Sequence, residues 1–295
     1  MTRLVLCLCA LLAACRPIGP GTLVVAPDAA AGQDGLRGPH GAARVSLRAQ
    51  ARVSDGINVE VTFPADAVGR LDGGPYPAVA FVHGGLVPRA RYRWLAEHLA
   101  TQGYVTVAAE YLFDLAIFET DNAWFALQAV RDEAAAPGGT LSGAILPSGK
   151  IIAMGHSLGG VIAVRQWLSH DLTALVLLAA YPADGDPVDD GVGRPVLSLV
   201  GSNDKKALPA QVRAGFETFE QPRLLGVVDG MIHYDWTDDA SPSELGSDGT
   251  PGRPQADTRR DALRLLDTWL GAQIQEDPSA AARLAQPFDG VALSP

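Results

Sequence analysis

The feature that most constrains the fold is the alternation of short apolar segments with amphipathic segments over residues 77–274. The apolar segments carry hydrophobic residues at consecutive positions, as strands buried on both faces do. The segments between them place apolar residues at helical spacing and end at breakers such as Gly103 and Pro137. Strands and helices that alternate in this way form a parallel sheet covered by helices, with right-handed crossovers. The pattern therefore predicts an α/β fold.

The predicted elements follow one another without an internal repeat. We expect strands at residues 77–85, 104–111, 150–155, 173–181, 194–202 and 223–230, and helices at 90–103, 122–136, 157–170, 207–219 and 258–274. Before them, residues 43–53 and 57–64 alternate apolar and polar side chains around Asp55-Gly56, which predicts a β-hairpin. A length of 295 residues, of which 47% are hydrophobic, favours one large domain over two small ones.

The N-terminus has the pattern of an export signal. All three cysteines lie in the first fifteen residues, MTRLVLCLCALLAAC, where Arg3 precedes an apolar run that is too short to span a bilayer. The ending LAAC resembles the bacterial lipobox, which implies that Cys15 receives a lipid and becomes the first residue of the mature chain. An ordinary secretory signal is the alternative. The resemblance predicts an exported protein, lipid-anchored to a bacterial membrane (the outer membrane or cell surface, on the periplasmic face or outside).

The chain is accordingly divided into a signal peptide at 1–14, a Gly-, Pro- and Ala-rich tether at 15–43, a folded domain at 44–274 and a C-terminal tail at 275–295 that is loose or lies on the surface. The net charge is −10, and the most basic stretch, PRARYR at 88–93, is better explained as a solvated helix start than as an anion site. We therefore expect no nucleic-acid partner. Zinc-type Cys/His spacing is absent, so no metal is expected.

A candidate nucleophile stands in GHSLG at residues 155–159, which fits the pattern G-x-S-x-G. The strand-like IIAM precedes it and the helix-like LGGVIAVRQWL follows it. In such a strand–turn–helix unit the serine takes a strained conformation, and the two glycines let neighbouring backbone pack closely. We predict that Ser157 is a nucleophile; the alternative is that it only caps the helix.

A serine nucleophile needs a base and an orienting carboxylate. His233, in DGMIHYDW, directly follows the last predicted core strand, and α/β sites collect in the loops after strand carboxyl ends. Asp204 follows the strand at 194–202. It completes the chain order Ser, Asp, His, which is the order expected of a triad whose serine stands in a G-x-S-x-G turn. Asp184 and Asp186 are the alternative acids. The other histidines lie in the tether, on helices, beside the nucleophile or in the first strand-end loop: His40, His98, His170, His156 and His83.

Oxyanion donors are expected from the stretch FVHGGL, in which two glycines free the backbone to turn amides inward. One donor would be the N–H of Gly85 or Leu86, and the other the N–H of Leu158 at the start of the helix. A plain strand-to-helix turn is the alternative for the two glycines.

Several stretches resemble the α/β-hydrolase superfamily, over about residues 76–271: AVAFVHGGLVPRARYRWLAEHLATQGYVTVAAEY, GHSLGGVIAVR, PVLSLVGSNDKKALP and GMIHYDW. Within it the chain is similar to the dienelactone-hydrolase-like and platelet-activating-factor-acetylhydrolase-like esterases. The resemblance implies a doubly wound, mostly parallel sheet of about eight strands and hydrolysis of carboxylic esters without a cofactor. Dienelactone hydrolases have a cysteine where this chain has Ser157, so their substrate is not carried over.

The prediction that follows is a serine carboxylesterase that acts on a small-molecule ester through an acyl-enzyme. The superfamily commonly carries a lid between two late strands, but here only PADGDPVDDGVGRP lies there, which predicts an open cleft and no large lid domain. Residues 112–118, LFDLAIF, form an acyl wall or pack in the core. Alternative functions are a lipase or polyester hydrolase, an amidase, and a non-catalytic binding lipoprotein. The oligomeric state is not predicted.

Overall fold

The computed structural model describes residues 23–25, 36–50, 56–146 and 148–295. The predicted signal peptide, Cys15 and most of the predicted tether lie outside the described residues. Within the described ranges, the structure contains no helix with the length and apolar character needed to span a bilayer.

One sheet organises the described chain. Its strands are β1 (Val24–Val25), β2 (Gly41–Ala49), β3 (Ile57–Ala65), β4 (Ala78–Val82), β5 (Val105–Ala109), β6 (Ile151–His156), β7 (Ala174–Leu178), β8 (Val196–Gly201), β9 (Arg223–Val228) and β10 (Val291–Ser294). They lie in the order β1-β2-β3-β5-β4-β6-β7-β8-β9-β10. The six strands from β5 to β9 are mutually parallel, whereas β1, β2, β3 and β10 join antiparallel.

The order of the strands reverses beside β4, which has β5 on one side and β6 on the other. In open α/β sheets the crevice at such a reversal, outside the carboxyl ends of the strands, is where ligands bind. The loop that follows β4 contains Gly84 and Gly85, and the turn that follows β6 contains Ser157. The topology therefore brings these two predicted site segments to the same crevice.

Helices cover both faces of the sheet. They are α1 (Arg93–Thr101), α2 (Asn122–Ala135), α3 (Leu158–Ser169), α4 (Pro209–Phe216), α5 (Pro242–Gly246), α6 (Gln255–Gln273) and α7 (Pro278–Leu284). Apolar side chains of α2 and α3 pack in one core cluster, and those of α1, α4 and α6 pack in a second. Ile151 and Ala153 of β6 face the first cluster, and Ile152 and Met154 face the second. This alternation of buried residues confirms the doubly wound, mostly parallel fold that the sequence predicts.

The two ends of the domain differ from the expectation. β2 begins at Gly41, inside the predicted tether, and pairs antiparallel with β3 from Gly41↔Ala65 to Ala49↔Ile57, as the predicted hairpin requires; Asp55 lies outside the described residues. The predicted tail instead supplies α7 and β10, and β10 closes the sheet by pairing with β9. The physical reason is burial, since Phe288 and Val291 enter the second core cluster.

Candidate active site

Ser157 occupies a strained turn between β6 and α3. Its φ is 54° and its ψ is −125°, a conformation that non-glycine residues adopt rarely. Its N–H donates to the carbonyl of Leu178 at 3.0 Å, and its side chain makes no capping bond to α3. A Cβ at Gly155 would overlap the carbonyl of Gly159, and one at Gly159 would overlap the carbonyl of Val82. Close backbone packing therefore enforces the strained turn, and the helix-cap alternative does not describe the serine.

His233 and Asp204 form a buried pair at the carboxyl end of the sheet. His233 opens a 3-10 turn, His233–Trp236, after β9, and Asp204 lies in the loop after β8. The imidazole Nδ1 lies 2.8 Å from Asp204 Oδ2. Asp204 Oδ1 accepts the backbone N–H groups of Lys206 and Ala207 at 2.8 and 2.7 Å, which fixes the carboxylate. Because a carboxylate only accepts, Nδ1 carries a proton, and in the neutral form of the ring Nε2 is then the acceptor.

The alternative acids lie elsewhere. Asp186 accepts from the N–H of Ala183 at 2.9 Å and from Arg165 Nε at 3.2 Å, and Asp184 is exposed. In the part of the chain that the structure describes, neither carboxylate bonds to His233.

The imidazole of His233 lies close to the turn of Ser157, because it packs against the ring of His156, the residue that precedes the serine. The rings of His156 and His233 have centroids 4.5 Å apart at an interplanar angle of 42°. We expected His156 to point away from the site and pack; it does pack, but against the base. Among the described residues Ser157 Oγ forms no hydrogen bond, and serine–imidazole bonds are often long in enzymes without substrate.

A buried hydroxyl links the turn of Ser157 to the loop after β4. Tyr92 accepts a hydrogen bond from the N–H of Gly84 at 3.0 Å and donates one to His156 Nδ1 at 2.8 Å. Burial raises the pKa of Tyr92, so its hydroxyl stays protonated. Burial and, to a smaller extent, the neighbouring His233 lower the pKa of His156 well below its ordinary value, so this ring stays neutral and can accept. Sequence reasoning missed Tyr92, which lies within PRARYR.

Gly85 and Leu158 are adjacent. A Cβ on Gly85 would lie 2.9 Å from Leu158 Cδ2, so the two residues pack closely against each other. Leu158 is the first residue of α3, and its N–H has no acceptor within the helix. The Gly85 N–H has no hydrogen-bond partner in the described chain, whereas the Leu86 N–H donates to the carbonyl of Asp114 at 2.9 Å. Of the two amides that the sequence offered after β4, only that of Gly85 is unpaired.

An apolar rim borders this pair of amides. We use that name for five exposed side chains: Leu86, Leu112, Phe113, Ile117 and Phe118. Phe113 is 74% exposed and Leu86 is 70% exposed. Phe113 and Asp114 both have a φ of 54°, so this segment is held in an unfavourable backbone conformation. Leu115 lies in the same segment, and its Cδ2 would lie 3.5 Å from a Cβ on Gly85. The rim is therefore at the surface rather than in the core.

The remaining histidines have partners that do not involve Ser157. His40 pairs with Asp72 at 2.9 Å and His98 with Asp267 at 2.8 Å. His170 stacks on Trp124 with centroids 3.9 Å apart. His83 lies in the loop after β4 with its Nδ1 3.0 Å from the carbonyl of Gly84. Over the described ranges, no group of three or more His, Cys, Asp or Glu side chains has the arrangement of a metal site.

The parallel sheet, the strained turn after β6 and the crevice beside β4 define an α/β-hydrolase architecture. A family model described as "Alpha/beta hydrolase family" matches residues 78–238, more than half of the chain. The chain belongs to this family, and the match supports hydrolase activity. No curated protein matches it. The resemblance to dienelactone-hydrolase-like and platelet-activating-factor-acetylhydrolase-like esterases stays a prediction.

Proposed function

We propose that this protein is a serine carboxylesterase with Ser157, His233 and Asp204 as its catalytic residues. The observation that carries the proposal is the buried 2.8 Å contact between His233 Nδ1 and Asp204 Oδ2, one ring away from the strained turn that presents Ser157. A neutral imidazole whose Nδ1 proton is held by a carboxylate leaves Nε2 ready to take a proton from a serine.

The reaction proceeds in two steps. In the first, the Ser157 hydroxyl proton passes to His233 Nε2, Ser157 Oγ bonds to the ester carbonyl carbon, and the oxyanion receives hydrogen bonds from the amides of Gly85 and Leu158. Each such donor stabilises the transition state by about 3–4 kcal/mol. The imidazolium then gives its proton to the leaving alcohol. In the second step, water loses a proton to His233, attacks the acyl-enzyme and releases the acid and the free serine.

The apolar rim supports an ester with an apolar acyl group as the substrate class. The rim adjoins Gly85 through Leu86, so an acyl chain that leaves the oxyanion site meets its exposed side chains. Each CH₂ that a substrate buries there stabilises the bound state by about 0.8 kcal/mol, or about fourfold in binding. The polar stretch between β7 and β8 is fully described and contains one 3-10 turn, Val188–Gly191, so this stretch supplies no helical lid.

The test is hydrolysis of p-nitrophenyl esters from acetate to palmitate, together with labelling by a fluorophosphonate. We expect Ser157→Ala to abolish both, and Asp204→Asn to lower kcat by about 10⁴-fold because the imidazole loses its tautomer. Phe113→Ser should reduce kcat/KM for longer esters more than for acetate. Val68→Ser, at an exposed apolar position in the turn after β3, is the control. Full activity in Ser157→Ala would refute the mechanism, and a wild-type protein that neither hydrolyses nor labels would favour the non-catalytic alternative.

We also propose that Cys15 anchors the protein to a bacterial membrane. The support is the LAAC ending of the apolar N-terminal run. Mass spectrometry of the mature N-terminus should find a lipidated Cys15, and an unmodified terminus at another residue would contradict the anchor.

A further inference from the structure

Asp204 and His233 lie in two different loops. Both loops contact a third loop, which contains a buried carboxylate. Asp248 lies between α5 and α6, in a stretch without periodicity, and is 7% exposed. Its Oδ1 accepts the N–H of Lys205 at 3.2 Å, in the loop of Asp204. Its Oδ2 accepts the N–H of Tyr234 at 3.0 Å, the residue after His233. One carboxylate therefore bonds to the chain directly after the acid and directly after the base.

The position of Asp248 is fixed from its own side as well. Its Oδ1 also accepts the N–H of Gly249 at 2.7 Å. A Cβ on Gly249 would overlap the carbonyl of Asn203, so only glycine lets this segment approach the loop of Asp204 so closely. We call that loop, residues 202–208, the acid loop. Asn203 Nδ2 in turn donates to the carbonyl of Thr250 at 2.9 Å, and the N–H of Gly252 donates to the carbonyl of Gly230 at 2.9 Å. We call residues 229–236, which contain His233, the base loop. Residues 248–252 thus bond to the acid loop and to the base loop at both of their ends.

We propose that Asp248 is a positioning residue, whose carboxylate holds the acid loop and the base loop together so that Asp204 stays on His233 Nδ1. It touches neither the serine nor the substrate site and acts through the two loops. Backbone amides bond more strongly to an ionised acceptor than to a neutral one, and a carboxylate has lone pairs enough for all three donors. The role in turnover rests on the proposed esterase function, whereas the effect on the histidine–aspartate pair does not.

Two substitutions remove the hydrogen bonds that Asp248 accepts, to different degrees. Asp248→Ala leaves all three amides without this acceptor. Asp248→Asn keeps the volume, but its NH₂ group must face the amides of one loop, donor against donor, while its oxygen serves the other. We expect kcat to fall by about 100-fold in Asp248→Ala and by about tenfold in Asp248→Asn, with KM within about twofold of wild type, because small misplacements of catalytic groups act on the chemical step.

Asp66 provides the matched control. Its Oδ1 accepts the backbone amides of Val68 and Arg70 at 3.0 and 2.8 Å, so it also clamps a loop. That loop follows β3, which runs antiparallel to β5. The loop therefore lies at the amino ends of the parallel strands, whereas Ser157 lies at their carboxyl ends. Asp66→Ala should lose stability without loss of kcat or change of KM.

A second readout is independent of any substrate. In a one-dimensional proton spectrum of the full chain, the Nδ1 proton of a histidine bonded to a buried carboxylate resonates far downfield, and its loss in Asp204→Asn assigns it. We expect this resonance to disappear in Asp248→Ala, to broaden in Asp248→Asn and to persist in Asp66→Ala. A folded Asp248→Ala protein that keeps both the resonance and its kcat would overturn the proposal, and so would an equal loss of both in Asp66→Ala. If the wild type hydrolyses no ester, the proposed function fails while the resonance still decides the role of Asp248.

Discussion

Replacement of Tyr92 by phenylalanine should destabilise the protein, because a single hydroxyl serves two buried partners. It accepts from the N–H of Gly84 and donates to His156 Nδ1, and Tyr92 and His156 are 2% and 1% exposed. Water cannot replace the hydroxyl at such depth without a rearrangement of the loop after β4. The variant therefore leaves one donor and one acceptor buried and unpaired.

The expected magnitude follows from those two groups. A buried polar group left without its partner costs about 1–3 kcal/mol. The phenylalanine ring recovers part of this, since the hydroxyl itself no longer has to be desolvated. We expect the free energy of unfolding to fall by about 2–4 kcal/mol, and kcat to fall as well because Gly84 precedes the proposed oxyanion donor.

Tyr104 offers the matched control. It is 1% exposed, and its hydroxyl has no hydrogen-bond partner within the described residues. Tyr104→Phe removes the same atom from an equally buried ring without leaving a partner behind. It should be neutral or stabilising by about 1 kcal/mol.

Urea unfolding followed by circular dichroism measures both variants against wild type, with the m-value checked for constancy. The reasoning is refuted if Tyr92→Phe lies within about 0.5 kcal/mol of wild type, which is the scatter of neutral surface changes. Equal losses in the two variants would also refute it, because the hydrogen bonds would then not be the cause.

Two further predictions concern packing and pH. Gly159→Ala should unfold or severely destabilise the protein, because its Cβ would overlap the carbonyl of Val82, and thermal melting measures the loss. Burial lowers the pKa of His83, His156 and His170 from 6.5, so the unfolded chain binds more protons than the folded chain below that pH. The free energy of unfolding should therefore be highest above pH 6.5 and fall as the pH drops towards 5, by up to about 1.4 kcal/mol per pH unit for each of the buried rings of His83 and His156, and by less for the partly exposed His170. Urea titrations from pH 5 to 8 test this, and a slope unchanged in His156→Gln would count against it.

The elements with strong periodicity could be predicted from the sequence, and the contacts between distant loops could not. The position of Ser157 followed from its local strand–turn–helix pattern, and those of Asp204 and His233 from their places after apolar strands. The choice between Gly85 and Leu86 depends on a bond from Leu86 to Asp114, which no local pattern encodes. Tyr92 bonds to the side chain of His156, and Asp248 bonds to the backbone of Lys205, partners that lie far away along the chain, so only tertiary structure identifies these contacts.

Strand β10 was not predicted from the sequence, for a related reason. β10 is a four-residue strand whose burial pattern is mixed, and nothing in such a short run distinguishes a sheet strand from a surface loop. Its place is decided by β9, whose outer edge offers unpaired amides and carbonyls. The last described residues thus take their structure from a partner strand rather than from their own propensity.

That last strand also changes which strand stands at this edge of the sheet, because the six-residue β9 is covered by the four-residue β10. An uncovered β9 would present a ladder of amide and carbonyl groups to which a second chain can add, as bare edges do in aggregating proteins. Here β10 occupies that ladder, and the carbonyl of Gly290 accepts the N–H of Asp229 at 2.8 Å just before the segment that delivers the imidazole. The same few residues therefore shorten the exposed edge of the sheet, which disfavours strand addition, and bond to the loop that carries His233.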